Sequence, residues 1–244
     1  MKAKKLGVMV GAAALLCCAA YFTGGGSGKE SGRLNGKPVC PKLDVSSVAR
    51  IEIGDRLVLA AGDDGWRAES QYGYPADRAK IAENLLSLAE LKVGQAVRGR
   101  ELGDTVAVIL KDSAGREIER LLLGDRHRGR YVGFEGGTVL VSDTLDAFDG
   151  DLRDWCDTRI KDFDVSFTGL ADPALSAEET GVSTGFVHSV TAKVGTNDVV
   201  RVARLGGSAP DGNGRYFKPD DGEWTFIIPS YAAERMTAEP KDNP

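Results

Sequence analysis

Several stretches of this 244-residue chain carry residue types whose spacing suggests chemistry. Gly181-Val182-Ser183-Thr184-Gly185 spells the nucleophile-elbow pattern of hydrolases, which needs a strand before it and a helix after it to strain the serine turn. Here the alternation of Phe186–Val194 predicts a strand after the motif. The only later histidine, His188, stands too close for the usual order of serine, acid and histidine. The expectation is therefore a small-residue turn leading into a strand, with no catalytic residue. Asp211, Asn213 and Asp220–Glu223 resemble a calcium loop, but Arg215 stands where the next oxygen ligand belongs, so a hairpin loop is expected. Gly24–Lys29 looks like a phosphate loop, yet Thr23 occupies the place of the first glycine and Glu30 that of the hydroxyl residue.

His127 lies between Arg126 and Arg128, whose charge disfavours a bound cation, and His188 falls in a strand pattern. Neither forms a pair with zinc-ligand spacing, so no metal or cofactor is expected. The acidic run Asp143–Asp164 reads as solvated surface. Arg126, Arg128 and Arg130 form the most suggestive polar cluster: either a patch for an anionic partner, such as lipid headgroups or an acidic protein face, or a charged turn between two strands. Cys40 and Cys156 form either a disulfide, closing a long loop in an oxidising compartment, or two unpaired, partly buried thiols.

These groups need elements to hold them. Lys2, Lys4 and Lys5 precede an apolar run from Leu6 to about Phe22, so residues 1–23 read as a membrane anchor or signal segment with the basic flank in the cytoplasm. An uncleaved anchor, a cleaved signal peptide and a lipoprotein signal remain open. Leu16 before Cys17, and Cys17 before Cys18, are poor contexts for acylation. Residues 24–43, opening with Gly24-Gly25-Gly26-Ser27-Gly28, form a flexible tether. The formal charge is −5, and more negative without the three leading lysines, which argues against a nucleic-acid partner.

The exported body alternates with period two. Val48–Ile53, Arg56–Ala61 and Trp66–Glu69 read as strands, followed by a helix opened by Pro75 and Asp77 with Ile81, Leu85, Leu88 and Leu91 on one face. Strands at Val106–Lys111, Ile118–Leu123, Arg130–Phe134 and Thr138–Val141 then lead to a helical stretch at Leu145–Phe148. Strands at Val187–Val194, Val199–Leu205, Arg215–Lys218 and Glu223–Ile228 lead to a helix from Pro229 to about Met236. Leu123-Gly124 with Gly129-Arg130-Tyr131 matches Leu205-Gly206 with Gly214-Arg215-Tyr216, and Val139-Leu140-Val141 matches Phe226-Ile227-Ile228. The expected fold is therefore α+β: repeated antiparallel β-hairpin units each followed by a helix, in regions 44–164 and 165–238, with a disordered tail at 239–244.

Trp66 in an early hairpin, Tyr74-Pro75-Ala76-Asp77 before a leucine-rich helix, Leu122-Leu123-Gly124, Arg130-Tyr131-Val132, and Leu152-Arg153-Asp154-Trp155-Cys156-Asp157-Thr158-Arg159 with Asp162-Phe163 together resemble the bacterial domain of unknown function 4340 family. The resemblance spans roughly residues 44 to 236. It implies an N-terminal membrane anchor, a repeated α+β body and a place beside transporter-like components of the gliding-motility auxiliary type, and it carries no catalytic residues. Cys156 departs from the family pattern, which more often has a charged or polar residue there. The function expected is a non-enzymatic accessory, binding or scaffolding protein at the cell membrane. Its body would lie outside the cytoplasm, within a membrane-protein complex such as an ABC-type transporter, and with its small-molecule ligand undefined. A cell-envelope hydrolase using scattered carboxylates and a structural surface protein are the alternatives.

Overall fold

A computed structural model of the protein describes residues 34–97, 101–126, 128–135, 137–194, 196–210, 212 and 214–238. The apolar run, the Gly24–Gly28 tether, His127, Asp211, Asn213 and the tail at 239–244 lie outside the described residues. No helix among the described residues is long and apolar enough to cross a membrane.

The alternating segments are strands. In chain order they are β1 (Arg50–Ile53), β2 (Leu57–Gly62), β3 (Gly65–Ala68), β4 (Tyr74–Pro75), β5 (Gln95–Val97), β6 (Val106–Lys111) and β7 (Glu117–Arg126). They continue with β8 (Arg130–Phe134), β9 (Gly137–Val141), β10 (Gly169–Leu170), β11 (Phe186–Val194), β12 (Asn197–Ser208), β13 (Gly214–Pro219) and β14 (Phe226–Pro229). The α-helices are α1 (Arg78–Ala89) and α2 (Ser230–Thr237). Fourteen strands against two α-helices among the described residues overturn the expected α+β plan of hairpin units each followed by a helix; the protein is built mainly of antiparallel sheet.

The missing helix is the one expected at Leu145–Phe148. Only a 3-10 turn forms there, at Asp146–Asp149, behind Leu145 in the left-handed region (φ 52°) and before Gly150 (φ 90°). A stretch so short cannot repay the entropy of helix nucleation. Pro75 also differs from expectation. It lies in β4, paired with Arg67, and the helix starts three residues later. Asp77 is the cap: its Oδ1 accepts from the Ala79 N–H at 2.8 Å, and its carbonyl accepts from the Ile81 N–H at 3.0 Å. The expected apolar face does form, with Ile81, Leu85 and Leu88 buried and Leu86 exposed on the other side.

The chain divides into two compact units that interleave along the sequence. The first draws on Met1–Gly54 and Glu83–Asp149, and its strands run in the order β1-β6-β7-β8-β9-β5, antiparallel throughout. Ile51, Ile53, Val108, Leu110, Leu121, Leu123, Val132, Val139 and Val141 share one buried face, because each sits at an alternate register position. The second unit, Asp55–Ala82 with Gly150–Pro244, holds the small meander β2-β3-β4 and a five-stranded sheet β10-β14-β13-β12-β11. Its core is aromatic: Tyr74 meets Phe167 edge-on at 5.3 Å and Phe226 at 6.2 Å, and Trp155 is fully buried.

Each unit contains a four-stranded meander, β6–β9 in the first and β11–β14 in the second, with matching irregularities. The register slips between Leu123 and Arg126 on β7, and between Leu205 and Ser208 on β12. At both slips an arginine from the next strand bonds the glycine carbonyl that the bulge exposes. Arg130 Nε reaches Gly124 O at 3.3 Å, and Arg215 reaches Gly206 O through Nε at 3.0 Å and Nη2 at 2.6 Å. The residues that matched in sequence thus perform the same local task.

Candidate functional site

The second unit contains a cleft of about 640 Å³. One wall is the segment from Ala171 to Ser183. Asp172 turns the chain there by accepting from the Ala174 N–H at 2.8 Å. Ser176 and Glu179 then cap each other, with the Ser176 N–H to Glu179 Oε2 at 2.8 Å and the Glu179 N–H to Ser176 Oγ at 3.2 Å. Hydrogen bonding from the Ser176 backbone N–H, and then from its side chain, holds the Glu179 carboxyl below its ordinary value. The segment docks through Thr180, whose carbonyl accepts from the Gly207 N–H at 2.9 Å. A Cβ at the neighbouring Gly206 would stand 2.3 Å from that carbonyl oxygen, so only glycine permits the approach.

The opposite wall comes from β12, β13 and the turn before β14. Arg204 Nε lies 3.3 Å from Asp220 Oδ1, and Lys218 Nζ donates to the Glu223 carbonyl at 2.7 Å. Burial lowers the Lys218 ammonium pKa, against the opposing pull of Glu223. Trp224 lines the cleft and rests edge-on against Tyr74, 5.0 Å between centroids. Tyr72, half-exposed and in the left-handed region (φ 57°), completes the lining. The result is a pocket with aromatic surface, two cations and three carboxylates (Asp172, Asp220, Glu223), suited to a ligand that is partly apolar and of mixed charge.

The family model of Domain of unknown function (DUF4340) matches residues 66–183. That stretch belongs to the DUF4340 family. No curated protein and no solved structure matches the chain. The DUF4340 match runs from Trp66 in β3 to Ser183 on the first cleft wall, whereas Arg204, Lys218, Glu223 and Trp224 lie beyond it.

Ser183 of the elbow-like motif lies in this cleft, but its surroundings are not those of an elbow. A turn-rich loop precedes it and β11 follows it, the reverse of strand then helix, and its N–H is spent on the Ala177 carbonyl at 3.1 Å. His188 sits on β11 with its ring 6.3 Å from Phe163, and burial lowers its pKa. In the acidic loop, Asp220 faces Arg204 and Asp221 faces Arg201 Nη1 at 2.5 Å, so both carboxylates are matched by cations.

The three arginines of the basic cluster take different roles. Arg130 is 5% exposed at its side chain and donates to the carbonyls of Thr144 (3.2 Å) and Leu145 (3.3 Å) and to Asp149 Oδ1 (2.8 Å). Burial lowers its pKa, with the Arg126 charge adding to the effect. Arg126 pairs with Asp146 at 3.0 Å and with Asp149. Arg128 is exposed at a left-handed turn position (φ 51°). Cys40 in the first unit and Cys156 in the second are free and buried, each with its thiol pKa pushed up to about 12, chiefly by burial.

The first unit has its own groove, of about 940 Å³, across β7, β8 and β9. Glu101, Glu117, Glu119 and Glu135 line it beside Arg120. Arg120 grips Glu117 with Nη2 at 2.6 Å and Nε at 2.9 Å, which lowers the Glu117 pKa. Burial, then the nearby Glu135 and Glu117 charges, raise that of Glu119.

Sequence reasoning missed the cleft of the second unit. Its lining comes from Tyr72, from 171–183 and from 204–225, and only tertiary folding joins these. One local signal was present: Ser176-x-x-Glu179, which closes the first wall. The other was masked by an expected strand at Glu223–Ile228; β14 starts at Phe226, leaving Glu223, Trp224 and Thr225 to face the cleft.

Proposed function

We propose that the protein is a membrane-tethered accessory module of the cell envelope that binds through the cleft of its second unit and works within a membrane-protein complex of transporter type. The observation that carries this reading is the cleft itself. Trp224 and Tyr72 offer apolar contact, Arg204, Lys218 and Glu223 offer charge on one wall, and the Ser176–Glu179 cap ties down the backbone of the opposite wall. Such a combination gives orientation and selectivity to a bound segment or small molecule, and it needs no reacting group. The basic flank and apolar run before the glycine tether support attachment at the cytoplasmic membrane with the folded body outside. The paired bulges of the two meanders support descent from a duplicated unit.

The test is crosslinking in intact membranes followed by recovery of the full chain, with the wild type compared against Arg204→Glu and Trp224→Ala. A partner recovered by the wild type and lost by both variants supports the reading. Recovery of no partner above background counts decisively against it.

A second reading rests on the groove of the first unit, where Arg120 lowers the Glu117 pKa and burial raises that of Glu119. That division of roles serves acid and base steps in hydrolysis of envelope polymers. Release of soluble fragments from purified envelope polymer, abolished by Glu119→Gln, would promote it. Equal release by wild type and variant would end it.

A further inference from the structure

The cleft of the second unit and the groove of the first occupy the same place on the two meanders. Leu123 pairs with Val106 and Val132, and Leu205 pairs with Phe186 and Phe217, which fixes the correspondence strand by strand. Leu102, four residues before Val106, thus corresponds to Val182, four before Phe186. Each lies on the bulge glycine of its unit. A Cβ at Gly124 would stand 2.8 Å from Leu102 Cδ2, and one at Gly206 would stand 2.9 Å from Val182 Cγ1. By the same count, Thr138 and Glu135 in the groove correspond to Thr225 and Asp220 in the cleft.

Two positions differ in kind. The cross-strand pair Leu122–Gly133 of the first unit is Arg204–Lys218 in the second, and both pairs line their sites. The first unit builds the same ladder with an aliphatic residue and a glycine, so the meander itself does not require cations there. Like charges directly opposite one another cost stability, and here the register sets two cations side by side, both only partly exposed. The surrounding chain answers them only in part. Arg204 holds Asp220 through Nε alone, at 3.3 Å, and among the described residues its two Nη groups make no hydrogen bond. Lys218 donates to the backbone carbonyl of Glu223 rather than to its carboxylate. A guanidinium fork and the rest of an ammonium therefore line the cleft with donors to spare.

We infer that the cleft receives a carboxylate carried on an apolar body, which deepens, and rests on, the binding role proposed above. The carboxylate sits on the Arg204 fork and the Lys218 ammonium, a planar anion matched to a planar pair of donors. The body lies against Leu175, Tyr72 and Trp224, of which Leu175 and Tyr72 are exposed apolar side chains of the lining. Asp172, Asp220 and Glu223 line the same cleft, so it holds no excess of positive charge. Selection therefore rests on short-range donors and not on a long-range field. Three carboxylates nearby disfavour a doubly charged phosphate far more than a singly charged head. The free carboxyl end of an apolar peptide and a medium-chain fatty acid present the same chemistry.

The test is titration calorimetry on the full chain in lipid nanodiscs, with N-acetyl-leucyl-leucine, its C-terminal amide, octanoate and octanamide as probes. At least one acid is expected to bind, about tenfold more tightly than its own amide, the scale of one hydrogen bond between charged groups. Which acid binds identifies the source as a peptide end or a fatty acid. Arg204→Leu/Lys218→Ala, which sets residues of the first unit's kind at the pair, is expected to bring acid and amide to equal affinity while keeping the wild-type circular dichroism. An acid that binds no better than its amide overturns the proposal, as does failure of both acids to bind. So does a preference that survives Arg204→Leu/Lys218→Ala, or displacement of the acid by inorganic phosphate at equal concentration. Trp224→Ala separates this proposal from the wider reading. Acid and amide bound equally by the wild type, and both lost by Trp224→Ala, would remove the carboxylate and leave the cleft as a binding site.

Discussion

The meanders β6–β9 and β11–β14 use the same parts under different conditions. Each has a bulge after a leucine, a glycine carbonyl turned outward, an arginine bonded to it, and a glycine at the start of the third strand pressed against the fourth. In the first, Arg130 is buried and tied into Asp149 and two further carbonyls. In the second, Arg215 is only half-buried and serves the Gly206 carbonyl. The first meander has committed Arg130 and its leading edge to internal structure. In the second no further strand pairs with the leading edge among the described residues, and a cleft opens beside its second and third strands, where binding groups remain accessible. Similar local sequence can thus serve stability in one unit and recognition in the other, depending on what packs around it.

The largest expected effects break this comparison at its glycines. A Cβ at Gly129 would lie 1.9 Å from the Val141 carbonyl oxygen, and the backbone there has φ 138°. At the equivalent Gly214 the nearest contacts are 2.7 Å, one of them the flexible Ile227 side chain. Gly129→Ala is expected to destabilise the fold by about 3 kcal/mol or more, since backbone on both sides must move. Gly214→Ala should cost about half as much, because part of its clash is relieved by a side-chain rotation. Urea unfolding of the two variants checks the order; equal midpoints would show that the two bulges are not under different constraint.

Arginine removal is next in size. Arg130→Ala leaves Asp149 without its buried partner and removes the bonds to the carbonyls of Gly124, Thr144 and Leu145, the last of which keeps the Phe148 N–H, an expected loss of about 2–4 kcal/mol. Arg215→Ala leaves one partly hydrated carbonyl and is expected to cost about 1 kcal/mol. Thermal melts of both variants decide it, and an Arg215 variant as damaged as the Arg130 variant would contradict the division of labour.

Much of this contrast was legible in the sequence, but only in part. Leu123-Gly124 with Arg130, and Leu205-Gly206 with Arg215, announced the common device because the device is local: strand, bulge and neighbour lie within a few residues. Alternating apolar positions announced the strands, and Ile81, Leu85 and Leu88 announced α1, for the same reason. The helix expected at Leu145–Phe148 failed because residue spacing carries no information on the left-handed backbone at Leu145, whose carbonyl is shared between the Phe148 N–H of the 3-10 turn and Arg130. The basic cluster was equally ambiguous. Arg126, Arg128 and Arg130 look alike in a row, yet Arg126 ends β7, Arg128 stands in the turn and Arg130 opens β8, where it is buried while the other two are exposed. The cleft was invisible because Tyr72, Ser183, Arg204 and Trp224 meet only through long-range sheet pairing.

The smallest expected effect concerns pH, and it sets a group in the groove of the first unit against one on the leading edge of the same sheet. Glu119 has a raised pKa in the fold, through burial first and through Glu135 and Glu117 after it. A folded carboxyl with a raised pKa binds its proton more tightly than the unfolded chain does, so it supports the fold below the unfolded pKa and loses that support as pH rises through the folded value. Glu52 has the opposite sign. Lys111 Nζ at 2.8 Å and Arg50 Nε at 2.8 Å lower its pKa, so its support is present above the unfolded value and lost as pH falls through the folded one. Glu119→Gln mimics the protonated form and is expected to raise stability at pH 7 by about 0.5 kcal/mol, the scale of a partly exposed substitution, with little change at acid pH. Glu52→Gln should instead lower stability at pH 7 and leave the acid limb nearly unaffected, because the ion pairs are already lost there. Melting temperatures of the two variants across pH 3 to 8 would therefore diverge from wild type in opposite directions as pH rises. If both moved the same way, desolvation would not be the dominant influence on Glu119, and the groove would hold an ordinary surface carboxylate.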